Sequence, residues 1–480
     1  MKPNTLYYGD CLEVMREWPD ACVDLIYLDP PFNSNADYNI IYGREKMNGG
    51  AVKRKDLAQI TAFTDTWEWD EKTAERIDAI RKSHAHRARA AVMALDTFYR
   101  GGAGMLTYLV YMADRIDEMH RILKHSGSLY LHCDPTASHY LKMILDAIFG
   151  ARNFKNEIVW AYRTGGASKK QFARKHDIIL FYGKTPAHAF NPQDEKSYTK
   201  SKSRKPGTVN YGGGEAEFYE DEDGVYNLVN MRDVWNIPYI GSTDKERLGY
   251  PTQKPLALLD RIVKASSNEG DVVLDPFCGC GTTIEAAMNL KRDFAGIDIS
   301  MYALDVIQKE RLRDIKFSID GVPTDMRSAK HMAKHQPFAL ERWAVHRIPG
   351  FVTNNKQTGD GGVDGWAGLL NPPPDEDGIC IAQVKGGKPT ADAIRAFAGK
   401  INSGEASAGV FITMQPWDTP TVRQCVAEAG KLKQGANTYN RLVMWSIAEY
   451  FSAVKPDLPP LAHPRTGRPL QEDLMVSHSR

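Results

Sequence analysis

Short apolar runs alternate with longer stretches of helical spacing through the first 315 residues. "VDLIYL" (23–28), "GSLYLHC" (127–133), "DIILFYG" (177–183), "DVVLDPF" (271–277) and "DFAGIDI" (293–299) have the length and the β-branched or aromatic content of buried strands. Between them, "TYLVYMADRIDEMHRIL" (107–123) and "LALLDRIVKAS" (256–266) place apolar side chains at helical intervals. The alternation predicts an α/β fold with a mostly parallel, doubly wound sheet.

The pattern breaks over residues 184–250, which are rich in Gly, Pro, Lys, Asn and Tyr and predict an inserted, loop-rich module. It breaks again at "SIDGVPTDMRSAKHMAKHQP" (318–337), polar and without clear periodicity. The expected organisation is a first domain over 1–320 with a loop-rich region at 163–250, a linker at 321–335, a smaller αβ domain over 336–452, and a Pro-rich tail, extended or disordered, over 453–480. There is no internal repeat.

Composition narrows this only a little. A chain of 480 residues is too long for one ordinary core. The hydrophobic share of 42% and charged share of 25% are those of a soluble globular protein, and a net charge of +1 gives no global sign of nucleic acid or membrane. "MKPNTLYYGD" has no apolar signal core, and no run approaches a membrane span. Seven scattered cysteines without a CxxC pair indicate neither a zinc site nor a disulfide framework. A cytoplasmic location and no membrane partner are expected.

Two loops carry candidate chemistry. In "LDPPFNSNADYN" (28–39), neither Pro30 nor Pro31 can donate to a sheet, and each restricts the residue before it. This is a rigid strand exit bearing the Asp29 carboxylate and the Phe32 ring; taken alone, the tetrapeptide reads first as a plain exit from a strand. In "VVLDPFCGCGTT" (272–283), Gly279 and Gly281 let backbone N–H groups approach a ligand ahead of the helix "TTIEAAMNLK". A GxG without a third glycine does not match the dinucleotide fingerprint. In "GIDIS", Asp298 ends the next strand, where a carboxylate accepts ribose hydroxyls or forms a tight turn and a cap. In "YYGDCLEVM", Asp10 either accepts from an adenine amine or caps the helix that follows.

"GDCLEVM…VDLIYLDPPFNSNADYN" and "YPTQKPLALLDRIVKASSNEGDVVLDPFCGCGTTIEAAM…GIDIS" together resemble the amino-group DNA methyltransferases of the β order, in which the catalytic loop precedes the target-recognition region and the cofactor loop follows it. The resemblance covers about residues 4–315. It implies a Rossmann-like fold that binds S-adenosylmethionine. Asp275, Phe277, Gly279, Gly281 and Thr282 would line the cofactor's methionine side, Asp298 would hold its ribose and Asp10 would face its adenine. "TQKP" matches the segment beside the methionine end, so Thr252 and Lys254 are candidate contacts.

The resemblance gives the acid–proline loop a chemical purpose. An exocyclic base amine is a poor nucleophile because its lone pair is delocalised into the ring. The Asp29 carboxylate and the Pro30 carbonyl would bond both N–H groups and draw the nitrogen towards sp³, with Pro31 stiffening the pair. Phe32 would stack on the base, which must be flipped out of the duplex. Asp rather than Ser at the first position leans towards adenine N6 over cytosine N4.

Double-stranded DNA is therefore the expected partner. Residues 163–210 hold eleven Lys/Arg against three Asp/Glu, and Lys169, Lys170, Arg174, Lys175, Lys202, Arg204 and Lys205 are the candidate DNA contacts. A solvated charged loop is the plainer reading of that run. Members of this group are often dimeric, and no interface signal in the sequence decides for or against a homodimer.

In the second domain, "TGDGGVDGWAGL" (358–369) and "GICIAQVKGGKP" (378–389) place an acid at one strand end and Q-x-K on the next. This resembles the Mrr-like branch of the PD-(D/E)xK nucleases and implies a restriction-endonuclease-like αβ domain. Asp364 would bind Mg²⁺, Lys385 would sit near the attacking water, Gln383 would support them and Glu341 is a helix-borne candidate ligand. Asp364 is also a plausible turn residue and Lys385 a solvated strand-end charge. The leading expectation is a one-chain restriction–modification protein; the alternatives are a methyltransferase whose second domain binds DNA without cutting, and a DNA-binding module with both sites degenerate.

Overall fold

The computed structural model describes residues 1–31, 38–41, 59–63, 67, 69, 71–99, 104–162, 170, 172–199, 217–241, 243–250, 252–354, 362–374, 376, 378–462, 469 and 470. The five apolar runs read from the sequence all become strands of one nine-stranded sheet. Its spatial order is Val234–Asn236, Phe154–Ala161, His176–Gly183, Leu123–Cys133, Val23–Leu28, Val272–Asp275, Asp293–Asp298, Thr5–Tyr8 and Ser318–Asp320.

Every pairing is parallel except the two made by His176–Gly183, which runs against both its neighbours. The sheet's central strands are buried on both faces, which explains their unbroken apolar runs. Along Val23–Leu28, Leu25 and Tyr27 face one cluster with Leu258, Ile284 and Leu304, while Ile26 and Leu28 face another with Leu109, Ile116 and Leu141. Helices Leu256–Ser266 and Thr282–Asn289 cover the first face, and Gly104–Ile122 and Ser138–Phe149 the second.

Strands Asp194–Tyr198, Gly224–Asn230 and Phe218–Asp221 form a small antiparallel sheet inside the loop-rich region. Strands Tyr38–Ile41 and Gln59–Phe63 pair antiparallel. The second domain has a five-stranded sheet ordered Val352–Thr353, Gly365–Gly368, Ile379–Lys385, Ala408–Thr413 and Leu442–Ser446, its first two pairings antiparallel and its last two parallel. A two-stranded ribbon, Lys431–Gln434 with Asn437–Asn440, projects beside it.

Two expectations need correction. The segment expected as a linker at 321–335 contains the helix Met326–His335, started by a capping box between Asp325 and Ser328, with Ala329 and Met332 buried. Its few apolar positions suffice because they face a core shared by both units. That core runs from Leu6, Ile284 and Ile307 through Leu340 and Trp343 to Val384 and Ile412. The described part of the tail is likewise docked: Leu461 is buried and bridges to Leu369, and Leu458 and Leu470 pack on the same core. Among the described residues, no helix is long and apolar enough to cross a membrane.

Candidate active site

The C-terminal ends of Val23–Leu28, Val272–Asp275 and Asp293–Asp298 meet at one edge of the large sheet, where loops from neighbouring strands leave in different directions and a crevice opens. Asp29, Pro31, Thr252, Lys254, Asp275, Phe277, Gly279, Thr282 and Asp298 all line this one cleft. Residues more than 220 positions apart are thus brought together by strand order alone.

Asp29 follows the buried strand directly. The Lys254 ammonium donates to its Oδ2 and, at 3.3 Å, to the Thr252 carbonyl. Thr252 holds a left-handed backbone (φ 61°), unusual for a β-branched residue. Among the described residues, Asp29 Oδ1 is buried and has no hydrogen-bond partner. A buried acceptor left unmade is costly unless a ligand completes it.

The glycine loop is built by two acids. Asp275 Oδ1 accepts from the Phe277 N–H at 3.1 Å and Oδ2 from the Thr283 hydroxyl at 2.5 Å. Burial pushes its pKa up to about 7, against the pull of those two bonds, and the Asp29 and Asp298 charges add to the rise. Asp298 accepts from the Gly279 N–H through Oδ2 and from the Ser300 N–H through Oδ1, both at 2.8 Å, tying the two loops together. Burial raises its pKa to about 6, opposed by those N–H groups and by the Arg342 guanidinium. Gly281 needs its left-handed φ of 78°, and a Cβ there would come within 2.8 Å of Ile307.

Asp10 caps the helix Cys11–Arg16: Oδ1 accepts from the Leu12 N–H at 2.8 Å. Its Oδ2 accepts from Arg115, whose guanidinium lies 3.3 Å from the Tyr111 ring centre. The cap is therefore real, and Gly9, Cys11 and Tyr111, rather than Asp10, line the cleft here. Gly281 and Pro30 also stand behind the lining, and Phe32 lies outside the described residues.

Sequence reading missed Tyr27, Tyr111, Tyr250 and Thr283 as lining residues. Tyr27 was accessible in principle, since strand alternation puts it on the same face as Asp29. Among the basic candidates, Lys170, Arg174 and Lys175 lie between the catalytic-edge ends of Phe154–Ala161 and His176–Gly183, and neighbouring Phe172 is almost fully exposed. Lys169, Lys202, Arg204 and Lys205 lie outside the described residues.

In the smaller sheet, Asp364 precedes Gly365–Gly368. Its N–H donates to the Ala382 carbonyl at 2.9 Å, and its Oδ2 accepts from the Val384 N–H at 2.6 Å. Asp364, buried Gln383 and strand-ending Lys385 thus share one sheet edge, while Glu341 sits on the helix Pro337–His346 that packs on this strand. Among the described residues, no group of three or more His, Cys, Asp or Glu is placed to hold a metal ion.

That helix also forms the seam with the first unit. Tyr8 Oη donates to the Ala339 carbonyl at 2.9 Å, and His346 Nε2 lies 3.0 Å from Asp305 Oδ2.

A glycine loop entering a helix, a carboxylate at the next strand's end and an acid–proline exit on the other side meet in one crevice of a Rossmann-like fold. Comparison with known proteins identifies the family. The chain belongs to the N6/N4 DNA methylase family, whose model matches residues 23–309, and residues 335–434 match the Mrr-type restriction endonuclease family. It is 28% identical over 249 residues to the type II methyltransferase M.HpaI of Haemophilus parainfluenzae, covering 52% of this chain and 73% of that one. With the DNA adenine methyltransferase YhdJ of Escherichia coli K12 it shares 26% identity over 301 residues, covering 62% and 79%. Among solved structures, the M1.HpyAVI–SAM complex is similar at 18% identity and a TM-score of 0.32, covering 64% of this chain and 97% of that one.

Proposed function

We propose that the first unit methylates the exocyclic amine of a flipped base in duplex DNA, adenine N6 in preference to cytosine N4, with S-adenosylmethionine as donor. The observation that carries this reading is the buried Oδ1 of Asp29 in the cleft, which has no partner among the described residues. It is an acceptor waiting for an N–H, held still because Oδ2 is bound to Lys254. With the Pro30 carbonyl as second acceptor, it would localise the amine's lone pair for attack.

The residues of the cleft suit the cofactor. Asp275 is a buried carboxyl that pairs with no cation among the described residues, suited to an ammonium group, and the second lone pairs of Asp298 suit ribose hydroxyls. When bound, S-adenosylmethionine supplies an electrophilic methyl group on a positively charged sulfur. Phe32 would stack on the extruded base, and the basic segment around Lys170, Arg174 and Lys175 would contact phosphates. The Asp of the acid–proline loop and the adenine specificity in the name of YhdJ both favour N6.

Expression in a methylation-free host, followed by modification-sensitive sequencing of its DNA beside an Asp29→Ala control, tests this. N6-methyladenine at one recurrent motif, absent in the control, is the expected result. N4-methylcytosine would overturn the base, and unmodified DNA in both samples would overturn the activity.

For the second unit we propose Mg²⁺-dependent DNA cleavage in the cytoplasm, making the chain a single-protein restriction–modification system. The support is the shared edge of Asp364, Gln383 and Lys385 within the endonuclease-family match. Asp364 and Gln383 offer the oxygen donors that Mg²⁺ prefers, with Glu341 as a further carboxylate from the seam helix. A second unit that binds DNA without cutting would show cleavage of neither methylated nor unmethylated DNA.

A further inference from the structure

Below the catalytic loop, three polar side chains from three adjacent strands stand in line. Tyr27 Oη lies 2.9 Å from His132 Nδ1, and His132 Nε2 lies 3.1 Å from Asp177 Oδ2. The Tyr162 hydroxyl donates to Asp177 Oδ1 at 3.0 Å. His132 is fully buried, with Trp160 edge-on to its ring. Tyr27 is buried yet lines the cleft, and the Asp177 side chain is 16% exposed, so the line joins cleft to surface.

The direction of these bonds follows from the far end. Burial works to raise the Asp177 pKa, but the hydrogen bond and charge of His132, the Lys254 ammonium and the Tyr162 hydroxyl outweigh it and hold it below the usual range. An ionised Asp177 only accepts, so Nε2 carries a hydrogen, and in the ring's neutral form, the one a relay starts from, Nδ1 is left as acceptor. The Tyr27 hydroxyl must then donate to Nδ1. Its oxygen is free only to receive a hydrogen, and Tyr27 shares the cleft lining with Asp29 and Asp275.

Resting on the methyl-transfer reading above, we propose that Tyr27, His132 and Asp177 are a proton relay that carries away the proton the base amine loses. A C–N bond forms between the amine and the transferred methyl. The C–S bond breaks with its electron pair going to sulfur, and the nitrogen is left with a positive charge and one proton too many. That proton passes to the Tyr27 oxygen as tyrosine's own proton moves to His132 Nδ1. The products are a neutral methylated base, a neutral tyrosine and an imidazolium resting against Asp177. Asp29 stays paired with Lys254 throughout and serves as the acceptor that orients the amine. Tyr27 is thus a catalytic residue, His132 holds the proton and Asp177 is a positioning residue.

Single-turnover methylation of a duplex bearing the sequenced target site, in mixtures of H₂O and D₂O, tests the relay. The wild type is expected to slow in D₂O along a curved proton inventory, showing more than one proton in flight. Tyr27→Phe and His132→Gln are expected to slow at least about 10-fold and to lose that curvature. Their S-adenosylmethionine affinity, by calorimetry, should stay within about threefold of wild type. His132→Gln keeps a donor and an acceptor in place and carries the test if Tyr27→Phe does not fold. Variants at wild-type rate, variants slowed equally in both waters, or a wild type without an isotope effect would each overturn the relay. A wild type that binds cofactor but methylates no duplex overturns the methyl-transfer reading itself, before any variant is read.

Discussion

Lys254 sits on one oxygen of the Asp29 carboxylate and leaves the other buried in the cleft, unbonded among the described residues. The two residues are 225 positions apart and meet because their strands' loops open on the same edge. The ammonium compensates the buried charge of Asp29 and fixes which oxygen faces a ligand.

Lys254→Met should therefore abolish methyl transfer, by about 100-fold or more, while leaving S-adenosylmethionine affinity within a few fold. It should also destabilise the fold by about 3–5 kcal/mol, since a buried carboxylate loses its partner. Asp29→Asn added to Lys254→Met should recover most of that stability and none of the activity. Denaturant melts and calorimetry on the three proteins check this; a large loss of cofactor affinity would place Lys254 at the cofactor instead.

Cofactor binding should be linked to protons through Asp275. With its carboxyl pushed up to about 7 by burial, part of the protein carries it protonated at neutral pH. An ammonium group binds the ionised form, so binding releases a proton below that pH and affinity rises as pH increases through about 7. Below it, affinity should fall by up to about tenfold per pH unit. Calorimetry in two buffers of different ionisation enthalpy reads the released proton directly, and Asp275→Asn should remove it.

The seam should weaken in acid. Burial works to raise the Asp305 pKa, but the hydrogen bond and charge of His346, with Lys309 and Arg347, hold it well below the usual carboxylate range. Such a group adds stability above its unfolded pKa of about 3.9 and loses it as pH falls towards the folded value. Asp305→Asn should cost about 1–3 kcal/mol at pH 7, with the gap to wild type closing below about pH 4. Thermal melts across that range test it.

Asp364→Ala should remove Mg²⁺-dependent cleavage of unmethylated DNA and leave methylation at the wild-type rate. Incubating plasmid with each protein, then assaying nicks and methyl groups in the same tube, separates the two activities. Cleavage surviving in Asp364→Ala would place the nuclease chemistry elsewhere.

What the sequence made legible was local in the chain. The glycine loop, the acid that ends the next strand and the acid–proline exit are each specified by a few neighbouring residues, and all three reach the cleft. The helix Leu256–Ser266 and the strand Val23–Leu28 fell where apolar spacing put them. Partnerships across the sheet were not legible, because Lys254 on Asp29 and His132 between Tyr27 and Asp177 depend on strand order. The reversed direction of His176–Gly183, which brings Asp177 to the catalytic edge, leaves no mark in its apolar run. The helix Met326–His335 escaped notice because two buried side chains anchor it, too few for a visible period, though its capping residues Asp325 and Ser328 were in plain view.

The seam helix Pro337–His346 falls, in the order of synthesis, between the two sets of candidate residues. Its contacts Tyr8 and Asp305 are synthesised before it, whereas Asp364, Gln383 and Lys385 come after. A ribosome that stops early releases a chain with the cleft and without the candidate cutting edge. The residues of the cleft thus leave the ribosome ahead of those of the proposed cutting edge.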